Sequence, residues 1–111
     1  MTTWFRTYYE DEDLWLHFEA GDEGWATRQI EIQAKDSRPM VAASLAEVLH
    51  LRDHADLAAM SRYERQYGVL AEGPMEGWQD QPHAAEISAE EFEQLWGEAR
   101  RALGDSGGLI V

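Results

Sequence analysis

The chain has 111 residues, no cysteine, and 22 acidic against nine basic residues, which give a formal net charge of −13. This length fits one domain, and the absence of cysteine excludes disulfides and thiolate zinc sites. The negative field repels phosphate backbones and anionic lipids, so we expect no nucleic-acid or membrane partner. Because the sequence shows neither a signal peptide nor an apolar run of membrane-spanning length, we predict a cytoplasmic protein.

The first third of the chain predicts β-strands. Its apolar runs are aromatic and β-branched or alternate in polarity, as suits a pleated surface. Predicted strands cover residues 3–9, 14–18, 25–33 and, as a short fourth, 40–43, with turns at 10–13, 20–24 and 36–39. Consecutive strands joined by tight turns indicate an antiparallel meander of three or four strands.

The remainder predicts helices and one long loop. Two capping boxes, each a serine followed three residues later by a glutamate, mark helix starts at Ser44–Glu47 and Ser88–Glu91. The helical pattern over 45–67 fits one bent helix or two, the second capped by Asp53, and the sequence leaves both open. Residues 69–86 contain the glycines and prolines of a loop, and the last helix is expected to end at Gly104.

The predicted fold class is α+β, with a three- or four-stranded antiparallel meander sheet and two or three helices packed on one face. We expect the last helix to cover the strand faces that carry Leu14, Leu16, Phe18, Ile30 and Ile32. The other sheet face would then be open unless the loop at 69–86 folds over it. Residues 1–104 are predicted to form this single domain, and 105–111 a flexible C-terminal tail.

Two stretches carry a resemblance. In LWLHFEAGDEGWATRQIEI, residues 14–32, an acidic glycine-containing turn precedes a W-x-x-R-x-I-E pattern, and the second stretch is EISAEEFEQLW, residues 86–96. Here the chain is similar to a family of small, acidic, uncharacterised bacterial proteins, a domain of unknown function. Some relatives look like immunity proteins, the intracellular antidotes to secreted toxins. The resemblance implies a soluble α+β domain and supplies no catalytic residues.

Histidines are the candidates for chemistry. His50 and His54 stand one helical turn apart and could supply two metal ligands, but a third ligand is not evident. We therefore predict two surface histidines, with no metal and no cofactor. His17 could act as an acid or base in a pocket between the open sheet face and the loop at 69–86. Because no nucleophile or paired carboxylate accompanies it, we predict no catalytic residue, and His17 belongs to the alternative only.

Tryptophans beside acidic turns are the candidates for binding. Trp78 lies in an acidic Gly/Pro loop and is either a hot spot for a basic partner or a lid over the sheet. The first hypothesis is a non-catalytic acidic binding protein that neutralises or sequesters a basic protein partner. The alternative is a small enzyme or small-molecule-binding protein. The predicted partner-binding residues are Trp15, Trp25, Trp78, Glu10, Asp11, Glu12, Asp13, Asp22, Glu23, Glu76 and Asp80.

The acidic residues are concentrated in the two ends of the chain, residues 1–24 and 71–111, whereas the middle is balanced. If the two ends lie together in the fold, the charge forms one oriented face. If they are scattered, the charge serves only solubility.

Overall fold

A computed structural model describes residues 1–104, which form five strands and three α-helices. In chain order they are β1 (Thr3–Tyr9), β2 (Leu14–Ala20), β3 (Ala26–Gln33), β4 (Arg38–Ser44), α1 (Leu45–His54), α2 (Leu57–Tyr67), β5 (Ala85–Glu86) and α3 (Ala89–Leu103). Single 3-10 turns lie at Glu10–Glu12 and Trp78–Asp80. The predicted tail at 105–111 lies outside the described residues.

The strands form one antiparallel sheet in the order β4-β3-β2-β1-β5. The predicted meander is confirmed for β1 to β4, but the prediction of three or four strands is too low. The fifth strand arises inside the predicted loop, where Glu86 pairs with Phe5 of β1. A two-residue strand has no periodicity of its own to detect, so only its pairing with β1 defines it.

The helices pack on both faces of the sheet, which corrects the prediction that they cover one. Helix α3 lies on the face that carries Ile30, here the Ile30 face. Helices α1 and α2 and the segment after them lie on the opposite face, here the Phe18 face. In the β2–β3 register, His17 lies opposite Ile30 and Leu16 opposite Glu31. The apolar sides of β2 and β3 therefore point in opposite directions, and each needs its own cover.

Each face has its own buried cluster. On the Phe18 face it consists of Phe5, Phe18, Ala20, Ala26, Ala43, Tyr63 and Leu70. On the Ile30 face it consists of Ile30, Ala42, Phe92 and Ala99, with Leu95 and Trp96 packed against it. Helix α3 thus covers Ile30 and Ile32 as expected, but the expectation that it also covers the Leu14–Phe18 side of β2 is wrong. Full burial of the Phe92 ring contributes about 2 kcal/mol.

The helical segment 45–67 forms two helices. The predicted start of α1 is confirmed, since the Ser44 hydroxyl accepts from the backbone N–H of Glu47 at 3.5 Å. The reciprocal bond of a capping box is not formed, because the Ser44 N–H donates to the Tyr63 hydroxyl instead. Helix α2 begins at Asp56, whose carboxylate accepts from the N–H of Ala59 at 2.8 Å. Asp53 is therefore not the cap and remains inside α1. The predicted start of α3 is also confirmed, since the Ser88 hydroxyl accepts from the backbone N–H of Glu91 at 3.0 Å.

Candidate functional site

The predicted partner-binding residues are divided between the two ends of the sheet. Strand β2 has seven residues, and at about 3.3 Å per residue it spans roughly 23 Å. The acidic turn 10–13 precedes β2 at one end, and the turn 21–25 follows it at the other. These two acidic turns therefore lie at opposite ends of β2, separated by the length of the strand.

At the second end, the chain brings together acids from distant parts of the sequence. The Met75 N–H donates to the Gly24 carbonyl at 2.7 Å, and Trp25 forms a bridge with Pro74. This pairing fixes the segment after α2 beside the β2–β3 turn. We call the resulting surface the Trp25 end, and it comprises Asp22, Glu23, Trp25, Glu72 and Glu76.

A groove of about 280 Å³ opens beside the indole of Trp25. Its apolar wall consists of Ala26, Leu45, Val48, Val69, Leu70 and Ala71. Charged side chains line it at Glu64, Glu72 and Arg52. We call this cleft the Trp25 groove. Trp25 is 48% exposed and Val69 62% exposed, so two large apolar side chains face solvent at its edge.

The charges of the groove are unevenly paired. Within residues 1–104, neither Glu64 nor Glu72 forms a salt bridge. Arg52 pairs with its neighbour Asp53 at 3.4 Å, and both are largely exposed. The groove therefore combines an apolar wall with two carboxylates that have no counter-ion in the described chain.

At the opposite end, Trp15 is half-buried among its own neighbours. Its ring lies 5.0 Å from that of Tyr8 and 6.2 Å from that of His83, and the Arg6 guanidinium lies 4.9 Å from the indole. The Tyr8 hydroxyl donates to Asp13, and this bond raises the pKa of Tyr8. These contacts occupy Trp15, so its side chain offers less free surface than Trp25.

Trp78 lies over the sheet. Its ring stacks on Phe5 with centroids 4.3 Å apart and planes inclined by 10°. Between this loop and the sheet lies a cavity of about 240 Å³. Phe5, Thr7, Leu16, Phe18, Trp78 and Gln81 are among the residues that line it. Of the two predicted roles of Trp78, this geometry corresponds to the lid, while Asp80 of the same loop is exposed.

The structure separates His17 from that cavity. His17 points to the Ile30 face, whereas the cavity lies on the Phe18 face. Burial, followed by the positive charge of Arg6, lowers the pKa of His17 to about 4. Its Nδ1 atom has no hydrogen-bond partner within residues 1–104. A buried, neutral imidazole on the wrong face is poorly placed to act as an acid or base for a ligand under the loop.

His50 and His54 lie on one uninterrupted helix, as neighbours on the surface of α1. Their ring centroids are 4.8 Å apart, and both residues are exposed. Residues 1–104 contain no group of three or more His, Asp or Glu side chains that could hold a metal ion. The pair is therefore not extended by a third protein ligand in this part of the chain.

A buried network that the sequence did not predict surrounds Arg100, which is 7% exposed. Its Nη1 donates to Glu47 at 3.0 Å and its Nε to the Ala42 carbonyl at 2.9 Å. The Tyr63 hydroxyl donates to Glu47 at 2.6 Å and accepts from the Ser44 N–H at 2.9 Å. The side chains of Arg100 and Tyr63 thus bind backbone groups on the outer edge of β4, which would otherwise be open to pairing.

The network also fixes the ionisation of its members. Burial opposes the charge of Glu47, yet hydrogen bonds from Arg100 and Tyr63 lower its pKa. Burial and the adjacent Glu47 raise the pKa of Tyr63 to about 12. The sequence contains one sign that Arg100 is buried. It stands four residues after Trp96 and therefore shares the helical face of that tryptophan.

Arg28 forms a second network of the same design on the Ile30 face. It binds Glu19 through Nη2 at 2.7 Å and Glu93 through Nη2 at 2.5 Å. Its guanidinium lies 4.9 Å from the Phe92 ring and 5.1 Å from the Trp96 ring. The bonds from Arg28 are the main reason that the pKa of Glu19 falls to about 2. This network anchors α3 to the sheet.

Comparison with protein-family models, with curated proteins and with solved structures finds no match for this chain. The resemblance to a family of small acidic bacterial proteins therefore stays a prediction. None of the helices in residues 1–104 combines the length and apolar character that crossing a bilayer requires.

Proposed function

We propose that this chain is a non-catalytic acidic binding protein that neutralises or sequesters a basic protein partner, in the manner of an immunity or inhibitor protein. The contact surface is the Trp25 end together with the Trp25 groove. The observation that carries the proposal is the half-exposed indole of Trp25 beside an apolar groove whose glutamates have no counter-ion within residues 1–104. A predicted cytoplasmic location is consistent with this role.

Physical arguments support this surface over the others. Interface hot spots are aromatic residues that become fully desolvated in the complex, and Trp25 has the exposed area to do so. Carboxylates around such a residue steer a basic partner and exclude acidic ones. Trp15 and Trp78, by contrast, are packed against Tyr8 and Phe5.

The test is affinity capture from the source organism with the wild-type chain and two variants. Trp25→Ser removes the proposed hot spot, and Tyr9→Ser removes an exposed aromatic residue, 44% accessible, at the opposite end of the sheet. We expect a basic protein to be retained by the wild type and by Tyr9→Ser but not by Trp25→Ser. Retention should weaken as salt rises from about 0.05 to 0.5 M, because screening shortens the range of the charges.

Two results would contradict the proposal. One is that no captured protein distinguishes Trp25→Ser from Tyr9→Ser. The other is that the captured proteins are acidic and are retained at any salt concentration. Circular dichroism of both variants checks that a lost interaction does not reflect unfolding.

The cavity under the loop favours a second candidate function, the binding of a small apolar molecule. Its aromatic lining and the hydroxyl of Thr7 suit a ligand with one polar group. Its volume, about 240 Å³, lies below the usual range for drug-sized ligands. The catalytic version of this candidate lacks its acid or base, because His17 lies on the other face.

A further inference from the structure

The chain binds its own arginines by one recurring arrangement. Arg28 and Arg100 each lie over two aromatic rings. Each also binds glutamate oxygens through two or more guanidinium nitrogens. An aromatic face removes the flat guanidinium from water while carboxylates accept its hydrogen bonds.

The Trp25 groove contains the same components. The half-exposed indole of Trp25 supplies the aromatic face, and Glu64 and Glu72 supply two carboxylates from separate parts of the chain. Neither carboxylate forms a salt bridge with any residue in 1–104. Arg52 lines the same groove but pairs with Asp53 at 3.4 Å.

We infer that the Trp25 groove is an arginine-recognition site that takes one arginine side chain of the basic partner. The methylenes lie along Val48 and Val69, and the guanidinium lies over the indole of Trp25 between the two carboxylates. The inference rests on the proposed function and specifies which side chain of the partner the groove binds. The groove volume of about 280 Å³ lies just under the range of drug-sized ligand sites, as a single long side chain requires.

Arginine fits better than lysine for two reasons. The guanidinium is planar and weakly hydrated, so it can stack on an indole with little desolvation cost, whereas an ammonium group is compact and strongly hydrated. Its several N–H donors also reach two carboxylates at once. The Arg52 side chain is a like charge at the same groove and should weaken binding of the partner's arginine.

The experiment is an NMR titration of the ¹⁵N-labelled full chain with N-acetyl-arginine methylamide. The readout is the indole N–H signal of Trp25, assigned by its loss in Trp25→Phe. The lysine and citrulline analogues are matched probes, since citrulline keeps the shape of arginine without its charge. We expect a saturable shift with arginine, binding about 2- to 5-fold weaker with lysine, and no saturable shift with citrulline.

Variants distinguish the groove from the overall charge. Glu72→Gln should weaken arginine binding by about 2- to 5-fold. Glu12→Gln makes the same charge change at the opposite end of the sheet and should leave the affinity unchanged. Arg52→Gln should strengthen binding by about 2-fold because it removes a like charge. A damaged fold cannot produce that gain.

Three results would overturn the inference: citrulline binding as well as arginine, lysine binding as well as arginine, or equal losses in Glu12→Gln and Glu72→Gln. Failure here is distinguishable from failure of the proposed function. If a basic partner is captured through Trp25 but the arginine titration fails, the function stands and the arginine site falls. If arginine titrates the groove but no basic partner is captured, the function fails and the groove chemistry stands.

Discussion

Lowering the pH from 7.5 to 5.5 is expected to destabilise the protein through the imidazole of His17. Burial and the charge of Arg6 lower the pKa of His17 from 6.5 to about 4. The unfolded chain therefore takes up a proton near pH 6.5 that the folded chain accepts only near pH 4. The stabilisation by the neutral ring is complete above pH 6.5 and is lost as the pH falls toward 4.

The size of the effect follows from proton linkage. The full separation between a pKa of 6.5 and one of about 4 corresponds to about 3 kcal/mol of unfolding free energy. Between pH 7.5 and 5.5, only the unfolded chain changes its protonation appreciably, and the loss is about 1.3 kcal/mol. The pH range from 7.5 to 5.5 stays above the isoelectric point near 4.5. At the isoelectric point the net charge vanishes, which promotes precipitation.

Urea unfolding followed by tryptophan fluorescence measures this loss. Other titrating groups change the stability of the wild type and of His17→Gln alike. The difference between the pH dependences of the two unfolding free energies therefore isolates the contribution of His17. We expect the wild type to lose about 1.3 kcal/mol more than His17→Gln between the two pH values. His50→Gln, which changes an exposed histidine, should behave as the wild type does. Equal losses in wild type and His17→Gln would refute the reasoning.

Two further predictions concern the packing of α3. Arg100→Met removes the bond to the Ala42 carbonyl and the counter-ion of Glu47. It should lower the free energy of unfolding by about 2–3 kcal/mol. This loss is smaller than for a fully buried ion pair because Glu47 is half exposed. Arg101→Met, which changes an exposed arginine, should alter the free energy of unfolding by less than about 0.5 kcal/mol. Similar urea midpoints for Arg100→Met and Arg101→Met would contradict the role of the network. Phe92→Ala should cost about 3–5 kcal/mol, because the ring is fully buried. A Phe92→Ala midpoint near that of the wild type would contradict its place in the core.

Local chemistry made the helix starts predictable. A serine hydroxyl that accepts from the N–H three residues later depends on four consecutive residues and on no distant contact. The starts at Ser44 and Ser88 were therefore predicted correctly. The start at Asp56 was missed because Asp53 offers the same side chain three residues earlier.

The cover of the sheet was not predictable in the same way. Alternation along a strand shows which of its residues share a face, but pairing with the next strand decides which side of the sheet that face occupies. The β2–β3 pair contains an irregularity between Glu19 and Ala20. Because a shift of one residue exchanges the two faces, the apolar sides of β2 and β3 cannot be aligned from their sequences alone.

The candidate site was predictable in part for a related reason. Trp25, Asp22 and Glu23 lie in one turn, so their proximity is visible in the sequence. Glu64 and Val69 reach the same groove only because the end of α2 packs over the Phe18 face. That contact joins positions about 40 residues apart along the chain, and single-sequence patterns carry no signal at such a separation.

The fold also decides what the acidity can mean. The acidic turn at 10–13 and the acidic Trp25 end stand at opposite ends of β2. The acids of residues 1–24 are therefore divided, and only Asp22 and Glu23 lie beside acids of the second stretch, Glu72 and Glu76. At physiological salt, screening limits the range of interactions between exposed charges to about 8 Å. This range is much shorter than the roughly 23 Å between these ends. A charged group at one end is therefore largely screened from the charges of the other. Of the two, the Trp25 end offers apolar area that is not already occupied by neighbouring side chains. We expect the charge at the other end to act through solubility and through repulsion of anionic surfaces.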